Sequence, residues 1–336
     1  MNENQAPWFE DFNVGDDLSD VPSVTLTDGH AAVHQAIFGD RLRLPLDLPL
    51  CRAVTGESRA LVNPSLVANM VVGQSTIPSQ RVMGNLFYRG LVFQRPVFVG
   101  DTLTTSTRVV ALRQNRIREG RAASGMVALE MSVVNQLGET VMLFWRCPMI
   151  PCRDPAANTG RNDSFDVMPE EISIDSLKAV VPDWNLAPLA SRHRDPIAPG
   201  VPVEVEARDT VTLAPELVRM TLNMAMTHTD AARSVYGKRL VYGGHTIAMA
   251  AAHISRAIPA LATILGWFKC DHVAPVFEQD ILRTVVVLEE SIPVPGGAIG
   301  IIHVETFADR GGEAPESGEN IKVLDWRLAV LMAGAE

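Results

Sequence analysis

Cysteine is scarce in this chain, with four in 336 residues. Cys147 and Cys152 flank "PMIP" as half of a metal-ligand pattern, but no second pair completes a site. With Cys51 and Cys270 they are expected to be reduced core thiols of a cytoplasmic protein. Long apolar runs are missing too. None approaches the ~20 residues that cross a bilayer, so no membrane partner is expected. The stretch "MNENQAPWFEDFNVGDDL" has neither a basic start nor an apolar centre, so it does not read as a secretory signal. Positive charge is in deficit: the net charge of −10 argues against a general nucleic-acid binder. The phosphate loop and the G-x-S-x-G elbow are absent, and "GGAIG" (Gly296–Gly300) lacks dinucleotide spacing and reads as a turn.

What is present is a globular balance, 47% hydrophobic and 20% charged, on a chain long enough for two domains. The chain also repeats itself. "PVFVGDTL" (Pro96–Leu103) returns as "PVFEQDIL" (Pro275–Leu282), "LFWR" (Leu143–Arg146) as "LDWR" (Leu324–Arg327), and "VTLT" (Val24–Thr27) as "VTLA" (Val211–Ala214). Three matches in one order at nearly one spacing indicate a duplicated domain. Nine of the 22 prolines fall from Pro148 to Pro202, which suits a connection between the copies. The expected division is 1–150, a proline-rich linker over 151–200, and 201–336.

Each copy opens with a short strand ("PSVTL"; "DTVTL") and a helical stretch ("DGHAAVHQAIF"; "PELVRMTLNMAM"). A polar corner follows, then a more apolar helix, near 65–73 in "PSLVANMVVG" and 245–258 in "HTIAMAAAHISRAI", where Ile247, Ala251, Ile254 and Ile258 share a face. Stretches of β-branched alternation follow: "TLTTSTRVVAL", "GMVALEMSVVN" and "ETVMLFWRCPMI", then "ILRTVVVLEES", "GAIGIIHVETFA" and "IKVLDWRLAVLM". One helix against a curved antiparallel sheet, made twice, is an α+β pattern.

This order, with "PVFVGDTL" opening a run of strands and with "GKRLVYGGHTI" and "CDHVAPVFEQDIL" in the second copy, resembles the MaoC-like hydratase/dehydratase family. The nearest likeness is to its double-hotdog branch of mesaconyl-CoA hydratase-like, actinobacterial type. The resemblance implies two tandem hotdog domains, an internal pseudo-dimer that leaves a further homodimer open. It implies an (R)-type enoyl-CoA hydratase or 3-hydroxyacyl-CoA dehydratase, acting on a coenzyme A or acyl-carrier-protein thioester without metal or redox cofactor. A branched or mesaconyl-like acyl group fits the resemblance. A hotdog thioesterase and a non-catalytic acyl-CoA-binding protein are the alternatives. The second copy keeps "THTD" with His228 and "YGGHT" with Gly243 and Thr246; Tyr242 stands where the family has histidine, and Asn223 where it has aspartate. The first copy keeps Gly39, Asp40, Pro45 and Leu46, with Asp47 in the place of the motif histidine.

Hydration of an enoyl thioester needs a base for water, an acid for the α-carbon and donors for the thioester oxygen. His228 is the candidate acid/base, tuned by Asp230 or by Asp40 across the copies, with Asn223 as a water-positioning amide. Gly243 and Gly244, beside Tyr242 and His245, are candidate oxyanion donors at the start of the central helix. Lys238, Arg239 and Arg116 are candidates for the phosphates of coenzyme A. Each has a plainer reading: a helix-end histidine, a tight glycine turn, a capping aspartate, a helix-face asparagine or a solvated basic hairpin. His30 and His34, four apart, have no cluster of acidic or cysteine partners and are not read as ligands, and His253 reads as an interface histidine.

Overall fold

The structure, a computed structural model, describes residues 6–190, 197–310 and 320–334. The first half runs β1 (Val24–Thr25), α1 (Asp28–Phe38), α2 (Arg43–Leu46), α3 (Leu48–Thr55) and α4 (Pro64–Gln74). It then runs β2 (Gly84–Phe93), β3 (Thr102–Gln114), β4 (Ser124–Val134) and β5 (Thr140–Pro151). The connecting segment carries α5 (Ile174–Ala179) and α6 (Ala187–Ala190). The second half runs β6 (Val203–Glu204), β7 (Asp209–Thr210), α7 (Ala214–Met220) and α8 (Gly243–Ala257). It closes with β8 (Leu261–His272), β9 (Ile281–Val294), β10 (Gly297–Asp309) and β11 (Ile321–Ala333).

The strands form one sheet in the order β1-β3-β4-β5-β2-β8-β11-β10-β9-β6, with β7 also on β9. Within the halves the orders β3-β4-β5-β2 and β9-β10-β11-β8 are the same, so the duplication read from the landmarks is a duplication of topology. The halves join where β2 pairs antiparallel with β8, Tyr88 opposite Cys270 and Leu91 opposite Trp267. Each half-sheet is covered by its own long helix, α4 or α8, and the two helices pack on each other. This is the double hotdog of the α+β class. Helix α4 is buried at every position, and α8 from Gly244 to Ser255. Both therefore form an apolar centre rather than amphipathic surface helices.

Three features depart from the sequence pattern. Strands β2 and β8 lack the alternation that marks the outer strands, because both their faces are covered; the first eight residues of β8 are buried without interruption. The helix expected through "PELVRMTLNMAM" stops at Met220. Thr221 turns its hydroxyl back to the carbonyl of Leu217, and Leu222 takes a left-handed φ of 58°, so the chain leaves the helix axis. The proline-rich segment is more than a spacer. Its Leu177, Leu186 and Leu189 are buried with Ile299, Ile301 and Leu331 against the sheet of the second half. Residues 191–196 of the expected linker lie outside the described residues. No helix among the described residues is long and apolar enough to cross a membrane.

Candidate active site

Helix α8 starts without a cap. Tyr242, at its N-cap, makes no side-chain hydrogen bond to the first turn, and two glycines follow. The amides of a first turn have no partner within the helix and sit at the positive end of its dipole. Helix α4 begins in the opposite way. The side chain of Asn63 accepts the Ser65 amide at 2.8 Å, and Pro64 at the first position has no N–H to offer. The small space near this end, about 20 Å³, is walled by Val180, Pro182 and Trp184 of the connecting segment. Of two helix starts related by the repeat, one is open and one is closed.

In front of the open end lies a cavity of about 190 Å³ between the halves. The second half contributes Asn223, His228, Tyr242, Gly243 and His272, and the first half contributes Tyr88 and Arg146. The break after α7 is what brings Asn223 and His228 here. Asn223 Oδ1 accepts the amide of Ala225 at 2.9 Å, holding the turn that leads to His228. No carboxylate is among the described residues that line the cavity.

His228 is buried, and burial pushes its pKa down to about 4, so the ring is neutral at pH 7. Its Nδ1 lies 2.8 Å from the carbonyl oxygen of Leu240. A carbonyl only accepts, so Nδ1 carries the proton and Nε2 keeps a lone pair. A neutral histidine of fixed tautomer on a cavity wall is a base. His272, the last residue of β8, is also held at about 4, first by burial and then by the charge His228 acquires when protonated. Its Nε2 is enclosed and has no hydrogen-bond partner among the described residues. That ring explains Gly243: a Cβ there would stand 2.6 Å from His272 Nε2. Gly244 is required for a similar reason, since its Cβ would meet Asn69 Oδ1 at 1.9 Å. Tyr242 is buried in the wall, and its hydroxyl donates to the Asn69 carbonyl at 3.3 Å.

Other predicted residues lie elsewhere. Asp40 is buried in a corner where its carboxylate accepts from the Leu42 amide, the Ser255 hydroxyl near the far end of α8, and Asn63 Nδ2. It is not in the cavity with His228, so the expected pairing across the halves is not formed. The repeat places Asp40 and His228 at equivalent corners, but these corners face opposite ends of the paired helices. Asp230 caps a turn through the Ala232 amide, and its exposed side chain sits 3.9 Å from Arg233. The group that orients His228 is the backbone of Leu240 instead. His245 turns its ring away from the cavity, with Nε2 2.8 Å from the Thr212 carbonyl and the ring edge against Phe38. Arg239 pairs with Glu278, and Arg116 is exposed on the β3–β4 turn. Lys238 lies over the Phe277 ring, on the loop whose Tyr236 and Leu240 line the cavity.

No family model matches the chain. A conserved hypothetical protein of Mycobacterium tuberculosis with a double hotdog fold is 39% identical, with 97% of this chain and 98% of that one covered at a TM-score of 0.89. The chain belongs to the double-hotdog, MaoC-like hydratase/dehydratase family. The β-methylmalyl-CoA dehydratase of Chloroflexus aurantiacus is 28% identical over 98% of this chain and 97% of its own. The mesaconyl-CoA hydratase of Cereibacter sphaeroides is 27% identical over 94% and 92%.

Against the MaoC-like motif, the second half carries an amide, Asn223, and a phenol, Tyr242, where the resemblance expects an acid and an imidazole. The acid/base groups the cavity does hold are His228 and His272. His272 stands in "CDHVAPVFEQDIL", directly ahead of a repeat landmark, and its position there was a signal of use. Tyr88 carries no local motif, and Arg146 ends the "LFWR" landmark, which marks the repeat and not a site. They reach the site from the first half across the β2–β8 junction, which no spacing in the chain announces.

Proposed function

We propose that this chain adds water to, or removes it from, the double bond of a short acyl thioester of coenzyme A, as an (R)-type enoyl-CoA hydratase or 3-hydroxyacyl-CoA dehydratase. One observation carries the reading: an uncapped helix start faces a cavity between the halves beside a neutral histidine whose Nδ1–H is already committed. The names of the two curated relatives, β-methylmalyl-CoA dehydratase and mesaconyl-CoA hydratase, support it.

In the hydration direction His228 Nε2 takes a proton from water as the oxygen adds to the β-carbon. The electron pair of the double bond moves to the α-carbon and thioester oxygen, whose negative charge meets the Gly243 amide and the positive end of α8. The proton held on His228 then goes to the α-carbon, so one water is consumed and the protein ends as it began. Burial disfavours the imidazolium and so favours its return to the neutral state. In this reading the Asn223 amide, in the same wall, holds the water, and Lys238, on the loop with Tyr236 and Leu240, meets a phosphate of coenzyme A. A carboxylate-based thioesterase is less well served, since Asp40 and Asp230 both lie away from the cavity.

The test is loss of the enoyl absorbance of crotonyl-CoA, mesaconyl-CoA and tiglyl-CoA, with wild type and His228→Ala. Turnover by wild type and a fall in kcat of roughly 10²–10⁴-fold in the variant, with little change in binding, are expected. No hydration of any enoyl thioester, or full turnover by His228→Ala, would sink the reading.

A further inference from the structure

His272 lines the same cavity as His228, yet no hydrogen bond holds it among the described residues. His228 commits Nδ1 to the Leu240 carbonyl, and His245, turned away from the cavity, commits Nε2 to that of Thr212. The His272 ring is fixed by packing alone. It meets Tyr88 edge to face, with centroids 6.0 Å apart, and its backbone is registered against Leu324 in the β8–β11 pairing. Its Nε2 and Cε1 stand 2.6 and 2.7 Å from where a Cβ on Gly243 would be. The ring therefore covers the first residue of α8, beside amides that have no partner within the helix.

The repeat supplies a control. The residue three positions ahead of the landmark at Pro275 is His272, and three ahead of the landmark at Pro96 it is Phe93. Each ends its strand, β8 and β2. Phe93 lies with Pro64 around the small space at the closed start of α4. The closed helix start has a hydrocarbon ring beside it, and the open one has an imidazole.

We propose that His272 is a catalytic residue that donates a ring N–H to the thioester oxygen, beside the Gly243 amide, as the enolate forms. This rests on reading the cavity as the acyl-thioester site. Nε2 is enclosed, and an enclosed N–H without an acceptor is rarer than an enclosed lone pair without a donor. The proton therefore belongs on Nδ1, which is bonded to Cε1 and flanks the same helix start. Burial first, and then the charge that His228 takes up, keep His272 neutral. A neutral imidazole polarises a carbonyl without giving its proton away. The enolate is thus stabilised and not quenched, and the proton on His228 remains the one delivered to the α-carbon. His272 neither gains nor loses an atom.

Isotope-edited infrared spectroscopy tests this without relying on turnover. The probe is butyryl-CoA with carbon-13 at the thioester carbonyl, bound to wild type, His272→Phe and His272→Asn. Wild type should move the carbonyl band to lower wavenumber than in free butyryl-CoA. His272→Phe, the ring of the first half, should lose part of that shift and lower kcat on crotonyl-CoA roughly 10²–10³-fold. Its affinity for butyryl-CoA should fall by less than about 10-fold. His272→Asn, whose amide can donate from near the Nδ1 position, should recover part of both. A second measurement needs no variant: in nitrogen-15 spectra of histidine-labelled wild type, an imidazole N–H other than that of His228 should shift when butyryl-CoA binds. An equal carbonyl shift in wild type and His272→Phe, or no such movement in the nitrogen spectra, overturns the proposal. So does a kcat loss in His272→Phe that His272→Asn does not relieve, which would make the ring a scaffold for the helix start. If the carbonyl shift depends on His272 but no enoyl thioester is hydrated, the hydratase reading falls and the donor stays. Hydration at full rate by His272→Phe keeps the hydratase and removes the donor.

Discussion

Lowering the pH should unfold this protein well before its buried histidines titrate in the native state. Four of them, His34, His228, His245 and His272, are held near 4 instead of the ordinary 6.5, and burial is the first cause for each. His34 and His245 both pack on Phe38, one tilted and one edge-on, with centroids 4.8 and 4.9 Å from it, and each has an unpartnered ring nitrogen among the described residues. Between pH 6.5 and 4 the unfolded chain binds these protons and the folded one does not. Stability therefore rises with pH in this window and drains away as pH falls through it. Each unit of depression is worth about 1.4 kcal/mol. That gives about 3 kcal/mol for each of the three most enclosed rings, and less for His272, which keeps some exposed surface at the cavity. The total, roughly 10–13 kcal/mol, matches the whole stability of a typical domain, so unfolding is expected near pH 5. Urea midpoints followed by tryptophan fluorescence at pH 8, 7, 6, 5.5 and 5 measure this, with a loss of about 4–5 kcal/mol per unit below pH 6. His34→Phe should lower that slope by about one proton. The same rings predict a rate profile with no acidic limb near 6.5, activity being lost with the fold instead. Stability that stays level from pH 7.5 to 5 would refute the reasoning.

Gly243→Ala should push the His272 ring off the helix start, since the new methyl would sit 2.6 Å from its Nε2. We expect kcat to fall roughly 10²–10³-fold, as for loss of one oxyanion donor, while overpacking of about 1–3 kcal/mol lowers the melting temperature modestly. An unchanged kcat/KM would remove the helix start from the chemistry. Asp40→Ala leaves the Leu42 amide, the Ser255 hydroxyl and the Asn63 amide of a buried corner without their acceptor. It should cost about 2–4 kcal/mol in urea titration, with kcat per folded molecule within a few-fold of wild type. A thousandfold loss of kcat at unchanged stability would return Asp40 to the active site.

Much of the molecule is legible in the chain because local rules govern it. Alternation over Ile281–Leu288 and its counterparts follows from one covered face per outer strand, and the repeated landmarks fix two copies of one topology. The glycine pair at 243 and 244 marks the helix start, since close backbone approach demands the absence of a Cβ. Strands β2 and β8 escaped because a strand covered on both faces has no alternation to read. The role of Asp40 escaped because sequence register says which corner of a copy a residue occupies, not which end of the other copy that corner meets.

The sequence by itself determined the duplicated α+β architecture, the central helices, and the helix start marked by Tyr242 and Gly243. Only the tertiary structure decided which groups complete that site. Arg146 and Tyr88 arrive from the first half, and His272 from the end of β8. The Leu240 carbonyl, not a carboxylate, sets the tautomer of His228. The physical reason is that burial and partnership are properties of packed surfaces. The pairing of β2 with β8 brings together residues far apart in the chain, and this junction sets Tyr88, Arg146 and His272 around the cavity that His228 lines.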